Sequence, residues 1–427
     1  MFKVLVISYY YPPLALSGVQ RTLKFTKYFK ANNWEPVVLT TGEIAYYAYD
    51  YSLLKEANDA NIRIVRTSGG DINSMVPSKG PVKIPPEFLR KLLGRISKSF
   101  FIPDNKKGWS KKALIKAREI LSSEHFDLIF VSAPPFSSTI TAVKLKREFN
   151  LPVVIDYRDL WYCNHFAFYP TPFHKIIHKR LEYKVLKAAD RSIVINRKMK
   201  EKMLNKYSFL TFDDVAIITQ GFDPKDFEGL VPEKKPNNKM RLTYSGIFYE
   251  FITPKFFLKA FKKLTIERPE IAGNIELHFA GFLRNENRKL IRKLDLQEFI
   301  KEYGYLNHRD ALLKTLSSDV LWLMVGSGKH ADAISTGKAF EYFGTQKPIL
   351  ACIPDGILKS TLEEYGAAFI TKPDDIDEIM NMIIKIYGLY VNNNLPKPKD
   401  EFVSKHRRDF LTEQLVKHFQ FLVKAES

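Results

Sequence analysis

Lys3-Val4-Leu5-Val6-Ile7-Ser8 is an apolar run of strand length, and it passes through Tyr9-Tyr10-Tyr11-Pro12-Pro13-Leu14-Ala15-Leu16-Ser17-Gly18 into a helical spacing of Val19, Leu23, Phe25, Tyr28 and Phe29. A strand without polar alternation is buried on both faces, the condition of a parallel sheet covered by helices. The run meets Pro12-Pro13 with no small-residue cleavage site, so it reads as a first strand and not as a secretory leader.

Outward from this unit the same strand and helix alternation continues through all 427 residues, which predicts an α/β protein. Strands are expected at Lys3–Ser8, Pro36–Thr40, Asn61–Arg66, Asp127–Ser132, Pro152–Asp156, Ser192–Ile195 and Val215–Ile218, and again at Arg241–Ser245, Ile275–Ala280, Val320–Met324, Pro348–Cys352 and Ala367–Ile370. Between the two sets, residues 226–240 hold Gly229, Pro232, Pro236, Asn237 and Asn238, a linker composition. The expected division is therefore a first domain over 1–225, a linker over 226–240 and a second domain over 241–395. Residues 396–427 then form a terminal helix whose stripe of Phe410, Leu411, Leu415, Phe419, Phe421 and Leu422 requires a surface to bury it.

Composition narrows the function. Lys and Arg number 66 against 47 acidic residues, a net charge of +19 that favours an anionic partner. No nucleic-acid module accompanies that charge, so nucleic acid is not expected as a partner. Cys163 and Cys352 are too few for a disulfide framework or a cysteine zinc site, and the nine His show no ligand spacing. No metal or cofactor is expected. No apolar run reaches the roughly 18 to 20 residues of a membrane span. A cytoplasmic protein follows, free or peripheral at the inner face of the membrane.

In open parallel sheets ligands sit beyond the carboxyl ends of strands, so the loops there are the candidate sites. Ser17 and Gly18 open a helix whose N-terminal amides suit a phosphate, or form a simple cap and turn. The segment Asp332-Ala333-Ile334-Ser335-Thr336-Gly337-Lys338-Ala339-Phe340-Glu341 likewise delivers Ser335, Thr336 and Gly337 to a helix start, with Lys338 as a cation and Glu341 one turn on. Ile155-Asp156-Tyr157-Arg158-Asp159-Leu160-Trp161 leaves a buried strand with two carboxylates around an arginine, either a reactive group or an ion pair that fixes the loop. Pro134-Pro135 and Gly221-Phe222-Asp223 follow two further strands.

From Lys79 to Lys112 ten basic residues face two acidic ones, a local charge of +8. Phe88, Leu89, Leu92, Leu93, Ile96 and Phe100 recur there at helical spacing among Arg90, Lys91, Arg95 and Lys98. Such a helix lies on an anionic membrane surface, or packs its apolar side on the first domain and solvates its charges.

In their order along the chain, these features resemble the retaining glycosyltransferases of the GT-B fold, of the family-4 type that builds bacterial surface polysaccharides. The likeness rests on the first strand with its Pro-Pro and Gly loop, Asp156-Tyr157-Arg158-Asp159-Leu160-Trp161, Gly221-Phe222-Asp223, and Gly337-Lys338-Ala339-Phe340-Glu341-Tyr342 with Lys347-Pro348-Ile349-Leu350 after it. The resemblance implies two facing Rossmann-like doubly wound domains with a deep cleft, a nucleotide-sugar donor held mainly by the second, a glycan or lipid-linked acceptor on the first, and a terminal helix that crosses back. It implies that Glu341 accepts hydrogen bonds from the donor ribose. Its expected partner carboxylate, at 333, is here Ala333, with Asp332 beside it. Arg158 stands where many members carry a His near the reaction centre, followed by Asp159. The usual Arg and Lys pair for the diphosphate is not evident at Ser245-Gly246-Ile247-Phe248-Tyr249, so Gly246, Lys255, Arg284 and Lys338 are the candidate donor contacts. A metal-independent, retaining transfer in O-antigen, capsule or exopolysaccharide assembly is the expectation. A nucleotide-sugar epimerase on the same scaffold and a non-catalytic GT-B protein are the alternatives.

Overall fold

The computed structural model describes residues 1–15, 17–46, 48–67, 69–70, 80–81, 87–162, 164, 168–248, 252–328 and 331–426, with the side chains of 17, 80–81, 87–91 and 425–426 outside that description. The chain forms two compact units, residues 1–219 with 408–427, and residues 220–407.

The first unit contains β1 (Phe2–Ile7), α1 (Ser17–Phe29), β2 (Trp34–Thr41), β3 (Ala45–Tyr46), α2 (Tyr51–Asp59), β4 (Arg63–Thr67), β5 (Gly80–Pro81), α3 (Glu87–Phe100), α4 (Lys107–Ser123), β6 (Leu128–Ala133), α5 (Ser137–Phe149), β7 (Val153–Tyr157), α6 (Pro172–Ala188), β8 (Arg191–Val194), α7 (Arg197–Lys206) and β9 (Val215–Ile217). Its seven-stranded sheet runs β4-β2-β1-β6-β7-β8-β9, all parallel, while β3 and β5 pair apart from it. Val4 to Ile7 are wholly buried, as an apolar strand at the centre of such a sheet requires. The strand order reverses between β1 and β6, the place where an open sheet leaves room for a ligand.

The second unit contains β10 (Met240–Ser245), α8 (Lys255–Glu267), α9 (Pro269–Ala272), β11 (Ile275–Ala280), α10 (Asn285–Lys293), β12 (Ile300–Gly304), α11 (His308–Leu316), β13 (Val320–Met324), α12 (Gly337–Thr345), β14 (Ile349–Cys352), α13 (Ile357–Tyr365), β15 (Ala368–Thr371), α14 (Ile376–Val391) and α15 (Asp400–Lys405). Six parallel strands run β12-β11-β10-β13-β14-β15 and reverse at β10/β13. Trp322 anchors one face, stacked 3.8 Å from Phe257 and 5.3 Å from Tyr244. On the other face Phe343 lies between Tyr365 and Phe402, which fastens α15 to this unit.

The chain then returns to the first unit as α16 (Arg408–Glu426). Phe419 packs among Phe29, Trp34 and Phe130, with ring centres 5.3 to 5.6 Å away. Burial of a phenylalanine is worth roughly 1.5–3 kcal/mol, and Leu411, Leu415 and Val416 of the same helix are buried with it.

Each strand expected from the sequence is present with its ends within two residues. The strands missed are the short pair β3 and β5, outside the main sheet, and β12, whose Lys301 and Glu302 are exposed because it lies at a sheet edge. The proline-rich segment after Asp226 is bound into the second unit: Lys235 Nζ reaches Asp319 at 2.8 Å and the Tyr390 hydroxyl at 2.7 Å, and Asn237 donates to Glu276 at 3.0 Å. The division between units accordingly falls after Thr219.

Candidate functional site

At the carboxyl ends of β10, β11 and β12 the chain passes through Gly246, Gly281 and Gly304, each with positive φ. The Gly246 N–H donates to the Ala280 carbonyl and the Gly281 N–H to the Gly304 carbonyl, both at 2.7 Å, so the strand edges stay paired through this turn. A Cβ on Gly281 would lie 2.2 Å from the Gly246 oxygen, and one on Gly246 would lie 2.7 Å from Lys338 Nζ. Glycine is required at both for its φ and for the close approach.

Lys338 comes from α12, the helix that follows β13 across the switch point. Tyr342 fixes this helix: its hydroxyl accepts from the Ser245 N–H at 2.8 Å and donates to the Trp322 carbonyl at 3.3 Å. Phe340 and Phe343 are buried beneath. The helix therefore starts beside the ends of β10 and β13. Thr336 precedes it in extended conformation and supplies no side-chain cap, so the first amides face outward from the helix start. Lys338 is half-buried overall, with its Nζ 3.7 Å from the Tyr244 ring centre. Burial pulls its ammonium down to about 7, against the opposing pull of Glu341.

Glu341 Oε1 lies 3.5 Å from Nε2 of His308, the first residue of α11, and His308 Nδ1 lies 4.0 Å from Asp226. Ser335 and Thr336 stand half-buried in the approach to α12. Asp332 belongs to a short turn, Ala331–Ala333, whose backbone presses on Gly356, where a Cβ would sit 2.6 Å from the Asp332 Cα. Lys255 opens α8 in an exposed position with its Nζ 5.2 Å from the Phe256 ring. Arg284 is half-buried at the residue before α10. Gly246, Lys338 and Glu341 are thus gathered around one helix start, while Lys255 and Arg284 occupy the loops after β10 and β11.

In the first unit Arg158 follows β7 and is buried. Its Nη1 donates to the Gly18 carbonyl at 2.6 Å and its Nη2 donates to the Pro134 carbonyl, which joins the loops after β1, β6 and β7. Burial lowers its affinity for its proton, with Asp156 and Asp159 acting the other way. The Nε makes no hydrogen bond among the described residues. Asp156 has a different partner from its sequence neighbour: Arg21 of α1 grips it through Nε at 3.0 Å and Nη2 at 2.7 Å, and the same guanidinium donates to the Ile218 and Thr219 carbonyls. Both side chains are wholly buried. Asp159 stands half-buried beyond Arg158. Arg95 and Lys98 lie exposed on α3, whereas the side chains of Arg90 and Lys91 fall outside the described residues.

Sequence reasoning missed Arg21, Gly281, Gly304, His308 and Tyr342. A signal existed for the glycines, since Ser245-Gly246, Ala280-Gly281 and Tyr303-Gly304 each end a strand with glycine. For Arg21 and His308 none did, because their partners are far away in the chain.

Two such sheets, one of seven and one of six parallel strands, define the GT-B class of fold. The chain resembles, over 99% of both lengths, a glycosyltransferase from Rickettsia africae at a TM-score of 0.68 and 15% identity. Sucrose-phosphate synthase from Thermosynechococcus elongatus matches over 100% of both chains at 0.65 and 14%, and WaaG, a glycosyltransferase involved in lipopolysaccharide biosynthesis, over 97% of this chain and 99% of its own at 0.60 and 12%. Residues 75–226, about a third of the chain, match the model of Glycosyltransferase Family 4. No curated protein matches the chain by sequence.

Proposed function

We propose that this protein moves a sugar from a nucleotide diphosphate sugar to a glycan or lipid-linked acceptor, with retained configuration and without a metal ion, in surface polysaccharide assembly. The observation that carries the reading is the grouping of Lys338, the α12 start and Gly246 at the sheet switch point of the second unit. The match of residues 75–226 to a glycosyltransferase family supports it.

Glycosyl transfer breaks the bond from the anomeric carbon to a phosphate oxygen, so negative charge grows on the departing diphosphate. In this reading the amides of Gly337 and Lys338 and the Lys338 ammonium meet that charge. Glu341, held near His308, takes the ribose hydroxyls. Ser335, Thr336 and Asp332 line the sugar side, and Lys255 and Arg284 supply further cations at the neighbouring strand ends. Arg158 and Asp159, with Gly18, border the acceptor. Retention places the acceptor hydroxyl on the same face as the leaving phosphate, which accepts its proton.

The test is calorimetry with UDP and GDP on the wild type, Lys338→Ala and Glu341→Ala, followed by anomeric analysis of the product with EDTA present. Binding weakened about 10-fold or more in each variant is expected, the size of one lost charge-assisted contact. A free epimer in place of a glycoside plus nucleotide, or unchanged binding in both variants, overturns the reading.

A further inference from the structure

Basic side chains from one strand and two helices converge in the first unit at the amino end of β8, opposite the strand ends that carry Gly18 and Arg158. Arg191 opens β8, and its guanidinium carbon lies 5.4 Å from the ring centre of Phe421 on α16. His418 stands one turn before Phe421 on that helix. Lys200 of α7 is only 6% exposed and holds its Nζ 3.1 Å from the ring centre of Phe212. Phe212 belongs to the turn before β9, and the Ser192 N–H donates to the Asp214 carbonyl of that turn at 2.9 Å, which seats it beside Arg191. Both rings are exposed, while Arg191 and His418 are half-buried, so the cations lie just beneath the surface.

These groups lack the partners that enclosed cations ordinarily have. Among the described residues the side chains of Arg191, Lys200 and His418 make no hydrogen bond and no ion pair, and the Arg191 Nε is sealed from water as well. The carboxylates nearest in sequence are engaged elsewhere: Asp190 takes Lys146 and the Val153 N–H, and Asp214 takes the Thr211 N–H and hydroxyl. Repulsion is left over. Burial, and then Arg191 and Lys200, disfavour a proton on His418. Burial also loosens the proton of Lys200, with Asp213 pulling the other way from beyond ion-pair distance and Arg191 adding to the loss. The two ring faces offset part of this cost but offer no oxygen to the guanidinium N–H groups. A small oxyanion supplies both missing things, opposite charge and several acceptors.

We propose that Arg191, Lys200 and His418 bind the phosphate group of a soluble phosphomonoester, or inorganic phosphate itself, at the seam of β8, α7 and α16. The site lies wholly within the first unit and does not depend on the glycosyl-transfer reading. Because α16 is the returning terminal helix, an anion held there fastens it to the sheet.

Thermal denaturation and calorimetry of the full chain in sodium phosphate, against sodium chloride of equal ionic strength, test the proposal. Expected is a phosphate-specific rise in Tm that survives Lys338→Ala, which removes the cation of the second unit. In Arg191→Gln and in Lys200→Gln the affinity should fall about 10-fold or more, as loss of one charge-assisted contact implies. Circular dichroism in chloride verifies that each variant is folded. The His418 imidazole resonance, assigned with His418→Gln, should shift on addition of phosphate, which reads the site in the wild type whatever the variants do. A purely structural role for these cations leaves the phosphate increment intact in both folded variants, and that result overturns the proposal. So does a wild type without an increment, an increment lost with Lys338→Ala alone, or binding confined to vesicles of phosphatidic acid.

Discussion

Lys338 holds its ammonium 3.7 Å from the centre of the Tyr244 ring, against the one strand end where glycine leaves it room. A cation so placed gains from the ring quadrupole but loses hydration, and the loss prevails, since its pKa falls to about 7. The ammonium is therefore half lost at neutral pH in the ligand-free protein, and a bound diphosphate restores it by taking up a proton. Affinity for nucleotide diphosphate should fall by up to about 10-fold per pH unit above 7. Calorimetry in buffers of different ionisation enthalpy reads the proton uptake directly, and Lys338→Met should abolish both the uptake and the pH trend.

Gly281→Ala should destabilise the second unit by at least about 2 kcal/mol, because the new methyl meets the Gly246 carbonyl in a backbone conformation that alanine resists. Urea denaturation measures the loss. Nucleotide binding should weaken with it, since Gly246, which borders Lys338 Nζ, must shift.

Asp156→Ala leaves the Arg21 guanidinium buried with the Ile218 and Thr219 carbonyls as its remaining hydrogen-bond acceptors among the described residues. A cost of about 3–5 kcal/mol is expected from breaking such a pair. Pairing Asp156→Leu with Arg21→Met removes both charges and should recover most of that loss, which a four-member denaturation cycle reports.

Burial raises the Glu182 carboxyl to about 7, although the Tyr207 hydroxyl and the Tyr162 N–H both donate to it. The folded state thus retains a proton that the unfolded chain releases near 4.5. This group's contribution is complete below that lower value and is lost as pH rises to 7, at up to about 1.4 kcal/mol per unit. Glu182→Gln keeps both acceptor contacts and should flatten the decline between those limits, measured as ΔG of unfolding against pH.

The strands were readable because a two-sided sheet demands continuous apolar runs such as Val4 to Ile7 and Val320 to Met324. Edge strand β12 escaped because Lys301 and Glu302 at its centre face water. Ser335, Thr336, Gly337 and Lys338 were legible as a helix start, since a small polar run before Phe340 and Phe343 has few other uses. What the sequence concealed was pairing at long range. Asp156 seemed to belong with Arg158, yet the sheet aligns it with Arg21 of α1, 135 positions away in the chain, while Arg158 spans to Gly18 and Pro134. The basic window around α3 was visible, whereas the convergence of Arg191, Lys200 and His418 from separate elements depends on the fold.

The return of α16 has a bearing on synthesis. Phe29, Trp34 and Phe130 leave the ribosome before the second unit, and the ring that covers them, Phe419, is made only after it. The first half must wait, uncovered, while the whole second unit is translated. A premature stop after Arg407 would therefore injure the end of the molecule that was finished first, and nascent chains halted there should attract chaperones at the surface of β1 and α1.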